Sequence, residues 1–335
     1  VLTKTGSRNN GMKRRFAIAA LGTVALLASC AGLADVRERN ARSKHPPLGE
    51  IHVIDGTKVH VWIKGQGPDV ILLHGAGGNL RDYTFDLAQS LTDDYRVIAF
   101  DRPGLGYTDR LPGFGGLGAT DGESPLEQAA FLQSAAAQLD VQNPIVVGHS
   151  FGGAVALAWA LNAPTDTAGL VLLGAVSNPW PGDLNNFYNI TGSAFGGAAA
   201  VPLITAFAPQ TRIEKGVQGI FTPQQAPDGY VDYIGAGLTL QRESLRANGQ
   251  QVLTLRPHIV EMSKRYSLEL KMPVEILHGD ADTTVPLHIH SEPLSKQITQ
   301  ANLVVLQGVG HMPHHARPDE TVAAIHRAAT RAGLR

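Results

Sequence analysis

From about residue 50 onward, short apolar runs alternate with stretches of helical spacing. Ile51-His52-Val53-Ile54 and Lys58-Val59-His60-Val61-Trp62-Ile63 alternate with period two around Asp55-Gly56, which predicts a β-hairpin. Six further runs follow: Val70–Leu73, Arg96–Phe100, Ile145–Val147, Leu170–Leu173, Val274–Leu277 and Leu303–Leu306. Continuous apolar runs bounded by turn residues suit strands covered on both faces, as in a parallel sheet. Helical patterns lie between most of them, at Leu80–Leu91, Pro125–Leu139, Phe151–Leu161 and Glu320–Ala332. Ser124 is placed to cap the second of these, with Pro125 in its first turn. The alternation predicts a doubly wound α/β fold with a mostly parallel, eight-stranded sheet. Residues 178–268 break the pattern, scattering Pro, Gly, Phe and Tyr among helical fragments such as Gln241–Ala247. The stretch is too long for a plain connection, so it reads as an inserted helical cap over the carboxyl edge of the sheet. The core domain is then 49–177 together with 269–335. Gly-rich Leu111–Gly122 reads as a loop.

The amino-terminal part has a different texture. Lys13-Arg14-Arg15 precedes an apolar segment from Phe16 to Ser29, which ends at Cys30. Its length suits the apolar region of a signal peptide and falls short of the ~20 residues of a bilayer span. Leu27-Ala28-Ser29-Cys30 resembles the lipobox of bacterial lipoproteins, with the chain's only cysteine at the required position. The resemblance implies cleavage before Cys30 and a diacylglycerol on its thiol. An ordinary signal peptide or an uncleaved anchor is the alternative. Residues 1–30 are thus expected to be an address, with 1–11, before Met12, a misassigned start. Residues 31–48, charged and ending in His45-Pro46-Pro47, are expected to be a tether. The expected location is outside the cytoplasm, on a membrane. Ala31 after the cysteine lacks the Asp that resembles an inner-membrane retention signal, which favours the outer membrane or cell surface.

Composition narrows the function classes. The chain has 335 residues, 43% hydrophobic and 17% charged, with a formal net charge of -1. It is too apolar for a disordered protein and has no basic excess for a nucleic-acid partner. A single cysteine excludes an intrachain disulfide and a cysteine-based zinc cluster.

The chemistry converges on one serine. Gly148-His149-Ser150-Phe151-Gly152 lies between the strand Pro144–Val147 and the helix Gly153–Leu161. A sharp strand-to-helix turn exposes the serine Oγ, and small flanking residues avoid clashes there. His74-Gly75-Ala76-Gly77-Gly78 follows another strand. Acyl transfer needs two N–H donors aimed at the developing oxyanion, and the Phe151 and Ala76 amides are the candidates. His74 reads as a structural residue orienting that loop. His278-Gly279-Asp280-Ala281-Asp282 and Gly308-Val309-Gly310-His311 end two later strands, and they complete the order Ser, Asp, His. His311 is the expected base. Asp282 is the expected acid, with Asp280, two residues away, as its competitor.

In these motifs the chain resembles the α/β-hydrolase superfamily over residues ~50–332. Asp101-Arg102-Pro103-Gly104-Leu105-Gly106-Tyr107-Thr108 adds to the likeness, with Thr where the family's D-x-P-G-x-G-x-S loop ends in Ser. The resemblance implies nucleophile Ser150, acid Asp282, base His311 and oxyanion donors Ala76 and Phe151. It implies hydrolysis of carboxylic esters of a small or medium hydrophobic substrate through an acyl-enzyme, with no cofactor. Members with an Asp nucleophile displace at alkyl carbon, whereas a serine attacks acyl carbon. C–C bond, lactone or amide hydrolysis by the same triad is the nearest alternative, and a non-catalytic ligand-binding protein the more distant one. The remaining histidines, including His288, His290, His314 and His315, carry no zinc-binding pattern, and no metal is expected. Trp180, Phe187 and Tyr188 are candidates for lining the pocket. Oligomeric state is not encoded in any of these patterns.

Overall fold

A computed structural model describes residues 30–116 and 118–335. Residues 1–29, which carry most of the expected signal peptide, lie outside the described residues. The eight strands are β1 (Glu50–Ile54), β2 (Thr57–Lys64), β3 (Asp69–Leu73), β4 (Arg96–Phe100), β5 (Ile145–His149), β6 (Gly169–Leu173), β7 (Val274–Gly279) and β8 (Ala301–Leu306). They form one sheet in the order β1-β2-β4-β3-β5-β6-β7-β8. β1 and β2 are antiparallel to their neighbours, and every other pairing is parallel. The hairpin turn has Asp55 at φ 49 and Gly56 at φ 82, the doubly left-handed backbone for which Asp-Gly is suited.

Alternate side chains of each strand enter opposite layers, as a period of two demands. Ile71, Leu73, Val146 and Ile276 pack with the helices Pro125–Gln138 and Phe151–Asn162 on one face. Val70, Leu72, Ile145 and Val147 pack with Leu87–Leu91 and Pro318–Arg331 on the other. β3, β5, β6 and β7 are buried along their whole length, which explains their unbroken apolar runs. Helix Pro125–Gln138 starts with a full capping box between Ser124 and Glu127. The expected helix at Leu80–Leu91 is two short helices, Arg81–Thr84 and Leu87–Leu91, broken where Asp86 leaves helical geometry at φ -147.

Between β6 and β7 the chain is helical, from Asn186–Gly192 through Ala194–Phe207 and Gln210–Ile220 to Arg242–Leu253, Leu255–Ser263 and Tyr266–Glu269. Arg242–Leu253 crosses Asn186–Gly192 at Gly249, where a Cβ would come within 2.4 Å of Thr191 Oγ1 and 2.7 Å of the Gly192 nitrogen. Only glycine permits that approach.

The expected tether is corrected. Residues 30–44 form a helix. Arg37 donates to the carbonyls of Ala206 (3.1 Å) and Ala208 (2.9 Å), at the end of helix Ala194–Phe207. A cation there satisfies carbonyls that a helix leaves without internal partners. Arg242 forks onto Glu38 at 2.8 and 2.9 Å and also meets Asp35. These partners stand some 200 residues away in sequence, so local composition read as a linker what long-range ion pairs fix as a docked helix.

Candidate active site

Ser150 sits where β5 turns into helix Phe151–Asn162, with φ 53 and ψ -118. A non-glycine residue at positive φ is strained, and such strain is held only where surrounding packing over-determines it. Here the packing is backbone against backbone. A Cβ on Gly148 would lie 2.3 Å from the Gly152 carbonyl oxygen, and one on Gly152 would lie 2.1 Å from the Leu73 carbonyl oxygen. The Ser150 amide donates to Leu173 O (3.0 Å), and its carbonyl accepts from Gly153 N (3.0 Å) and Val176 N (3.1 Å). The serine is thereby locked to the ends of β5 and β6, at the positive end of a helix.

The expected base and acid meet. His311 Nδ1 lies 2.7 Å from Asp282 Oδ2, and both side chains are buried. Asp282 Oδ1 accepts from the Thr284 and Val285 amides at 2.8 and 2.9 Å. Burial alone would raise the Asp282 pKa, but hydrogen bonds from His278, His311 and the Val285 amide outweigh it and hold the carboxyl well below the usual range. An ionised Asp282 can only accept at this contact, which directs a His311 Nδ1–H toward it. Gly174, at φ 50, borders the pair: a Cβ there would lie 3.4 Å from Asp282 Oδ2 and 3.5 Å from His311 Nδ1. Asp280 points elsewhere, accepting from the Gly308 amide at 2.6 Å. Ser150 Oγ makes no hydrogen bond among the described residues, so the structure does not join all three groups in one chain.

The loop after β3 presents its amides selectively. Gly77 N donates to Asn248 Oδ1 (2.6 Å) and Gly78 N to Gly75 O (3.3 Å). Among the described residues, neither the Ala76 nor the Phe151 amide has a protein acceptor. His74 orients this loop: Nδ1 contacts Gly75 O at 2.9 Å, and Nε2 accepts from Arg102 N at 3.0 Å. Burial, helped by the Arg102 cation, pushes the His74 pKa down to about 4, so it is a neutral structural residue.

Arg102 is the main site residue that sequence reading did not assign. It is fully buried behind the loop. It donates to His74 O (2.8 Å), Gly75 O (3.0 Å), Gln128 Oε1 (2.7 Å) and Gln251 Oε1 (3.3 Å), and its guanidinium stands 4.4 Å from the Phe151 ring centroid. Burial lowers its pKa to about 9, which leaves it a cation at neutral pH. Gln251 also donates to Glu123 Oε2 (3.0 Å), and Glu123 holds Arg110 bidentately at 2.9 and 2.8 Å. This network couples the loop after β3 to helix Arg242–Leu253 of the insert. The available signal was a charged residue inside the quoted D-R-P-G stretch, directly after a strand. In that stretch the Thr108 hydroxyl donates to Asp101 O at 2.8 Å and accepts from His60 N at 3.0 Å.

A second histidine cluster lies behind His311. Asp82 accepts from Tyr230 OH (2.7 Å) and His315 Nε2 (2.9 Å), with His314 Nε2 at 3.3 Å. These partners hold Asp82 well below the usual carboxylate range despite its burial. His149 Nε2 meets the His311 carbonyl at 2.8 Å, tying the residue before Ser150 to His311. Potential ligand atoms of Asp82, His149 and His314 lie within 4.8 Å of one another, so this trio is where a cation would find ligands among the described residues. Of the pocket-lining candidates, Trp180 and Tyr188 pack against the main core, and Phe187 is exposed.

Comparison with known proteins agrees with this fold. The sequence profile of the "Alpha/beta hydrolase family" matches residues 70–324, and the chain belongs to that family. An uncharacterised protein of Mycobacterium tuberculosis is 26% identical over 307 residues, covering 87% of this chain and 84% of the relative. A pimeloyl-[acyl-carrier protein] methyl ester esterase of Vibrio parahaemolyticus is 27% identical over 275 residues, covering 80% and 97%. Among solved structures, an alpha/beta hydrolase fold protein from Burkholderia ambifaria superposes with a TM-score of 0.69 at 22% identity, over 83% of this chain and 97% of that one.

Proposed function

We propose that the protein is a serine hydrolase of carboxylic esters, working through an acyl-enzyme. The observation that carries this reading is the buried His311–Asp282 hydrogen bond of 2.7 Å beside a serine held at φ 53. As substrate settles, His311 Nε2 takes the Ser150 proton while Oγ attacks the ester carbonyl carbon. The tetrahedral oxyanion is received by the Ala76 and Phe151 amides, aided by the dipole of helix Phe151–Asn162. Asp282 fixes the imidazole tautomer and stabilises the imidazolium. Collapse breaks the C–O bond, and His311 returns the proton to the departing alcohol. Water then repeats the sequence and frees the acid and Ser150. No cofactor takes part. The ester named for the Vibrio relative supports this bond type.

The lipobox-like ending at Cys30 supports export and lipid anchoring on a membrane. Blocking lipoprotein processing should then leave a heavier precursor, and an unchanged mass would count against it. For the chemistry, intact mass is measured after reaction with a fluorophosphonate. One adduct on the wild type, absent from Ser150→Ala, followed by turnover across a panel of esters, lactones, amides and dienoic ketones, tests both the nucleophile and the bond. A folded wild type with no adduct would refute the serine mechanism.

A further inference from the structure

Helix Ala194–Phe207 exposes the wrong side chains for water. Gly196, Gly197, Val201, Thr205 and Ala206 are its buried positions. Its outer face runs Phe195, Ala199, Leu203, Phe207, each four residues from the last. Phe195 is 85% exposed, Phe207 55% and Leu203 45%. Ile190 on the preceding helix is also exposed. From Leu184 to Thr211 the sequence contains no charged residue. A contiguous apolar stripe of this kind on a helix surface marks an interaction site.

Two observations identify its occupant. The helix rises about 20 Å for its 14 residues, too short for a ~30 Å hydrocarbon core. The adjoining Asn186–Gly192 bends away from it by 102°, so the two do not make one straight span. The stripe therefore suits lying in a lipid interface. Second, helix 30–44 begins at Cys30, the residue that the lipobox-like sequence marks for a lipid anchor. Arg37 binds the carbonyls of Ala206 and Ala208 at the end of the stripe. Cys30 stands seven residues before that contact. The expected point of lipid attachment and the apolar stripe are thus joined through one docked helix.

We propose that the outer face of helix Ala194–Phe207 rests in the interface of a lipid bilayer, and that the active site takes amphiphilic esters presented by that membrane. The helix is one layer from the chemistry. It packs on Arg242–Leu253, with Gly197 against Arg246, and Asn248 of that helix holds the Gly77 amide of the oxyanion loop. The substrate clause rests on the ester-hydrolase reading; the docking clause does not.

The test uses the full chain with Cys30→Ser and one added cysteine carrying an environment-sensitive fluorophore. The label is placed at Phe195→Cys or, as control, at exposed Gln142→Cys beside the opposite edge of the sheet. With vesicles of phosphatidylcholine and phosphatidylglycerol, emission at 195 should rise about threefold, shift to the blue and be quenched by acyl-chain nitroxides, while 142 stays unchanged. In parallel, Phe195→Ser/Phe207→Ser should keep the wild-type rate on a short soluble ester and lose about tenfold on an ester dispersed in those vesicles. A water-exposed probe at 195 with vesicles present would overturn the proposal. So would a blue shift that needs only higher protein concentration, which would mean a second copy covers the stripe. Equal rates on the vesicle ester would overturn the substrate clause. A wild type that cleaves neither ester, with the 195 probe in the bilayer, would sink the ester reading and uphold the docking.

Discussion

Asp282→Asn isolates the contribution of the buried carboxylate. The replacement keeps the shape and the Oδ1 acceptor that the Thr284 and Val285 amides use at 2.8 and 2.9 Å. It removes the negative charge 2.7 Å from His311 Nδ1, where neither side chain meets appreciable solvent. A unit charge pair at a centre-to-centre distance of roughly 3.5 Å with an effective dielectric of about 20 is worth about 5 kcal/mol. That interaction exists only once His311 is an imidazolium, in the transition state, so it acts on rate. At 1.36 kcal/mol per decade it amounts to about three to four decades in kcat/KM. The tautomer works in the same direction, because an Asn amide facing Nδ1 favours the form whose Nε2 is protonated and cannot accept from Ser150. The matched control is Asp280→Asn. Its carboxylate receives only the exposed Gly308 amide, and loss of that bond costs about 1 kcal/mol of stability and at most a few-fold in rate. The assay is kcat/KM on a soluble activated ester from pH 6 to 9, with circular dichroism to confirm folding. A loss under tenfold for Asp282→Asn, or an equal loss for Asp280→Asn, would refute the assignment of the acid.

Four further outcomes are expected. Arg102→Met leaves the His74 and Gly75 carbonyls and the Gln128 and Gln251 side-chain oxygens without their shared donor, so urea unfolding should show a loss of about 3–5 kcal/mol; a loss under 1 kcal/mol would show the network to be dispensable. His290 Nδ1 accepts from the Ser177 and Asn178 amides at 3.2 and 3.3 Å, and its pKa is pushed down to about 4, first by burial and then by neighbouring His278. Its folded pKa is thus below the unfolded value of ~6.5, the unfolded chain binds the extra proton, and stability should fall as pH drops from about 6.5 towards 4. His290→Asn should flatten that slope in urea titrations at pH 7 and pH 5, and an unaltered slope would clear His290 of the role. Gly152→Ala forces a Cβ to 2.1 Å from Leu73 O and 2.5 Å from His74 O, both backbone atoms that no rotamer relieves, and should cost about 3 kcal/mol or abolish soluble expression. Gly216→Ala, with open space around its Cβ inside helix Gln210–Ile220, should instead raise the melting temperature through about 0.5–1 kcal/mol of helix propensity.

The local code settled whatever depended on local spacing. Period-two alternation around Asp55-Gly56 and six bounded apolar runs reveal the eight strands, because a strand buried on both faces admits a polar side chain only where it is paired, as Arg327 and Arg331 pair Glu275. Gly148 and Gly152 reveal the elbow, because only a missing Cβ allows two backbones to touch there. Strand ends followed by Asp282 and His311 point to a candidate acid and base in order, but not to which of two neighbouring aspartates faces the histidine. That choice depends on a turn whose geometry comes from Asp282 accepting the Thr284 and Val285 amides, and from His278 behind it. Tertiary structure alone decided the interchange of β3 and β4 in the sheet, since pairing partners leave no mark within a strand. It decided that Arg102, Glu123 and Gln251 form one buried network, and that Asp82 gathers His314, His315 and Tyr230 behind the base. It also turned residues 30–44 from an expected tether into a docked helix. Such contacts join residues far apart in the chain, and a buried charge is stable only where those distant partners converge.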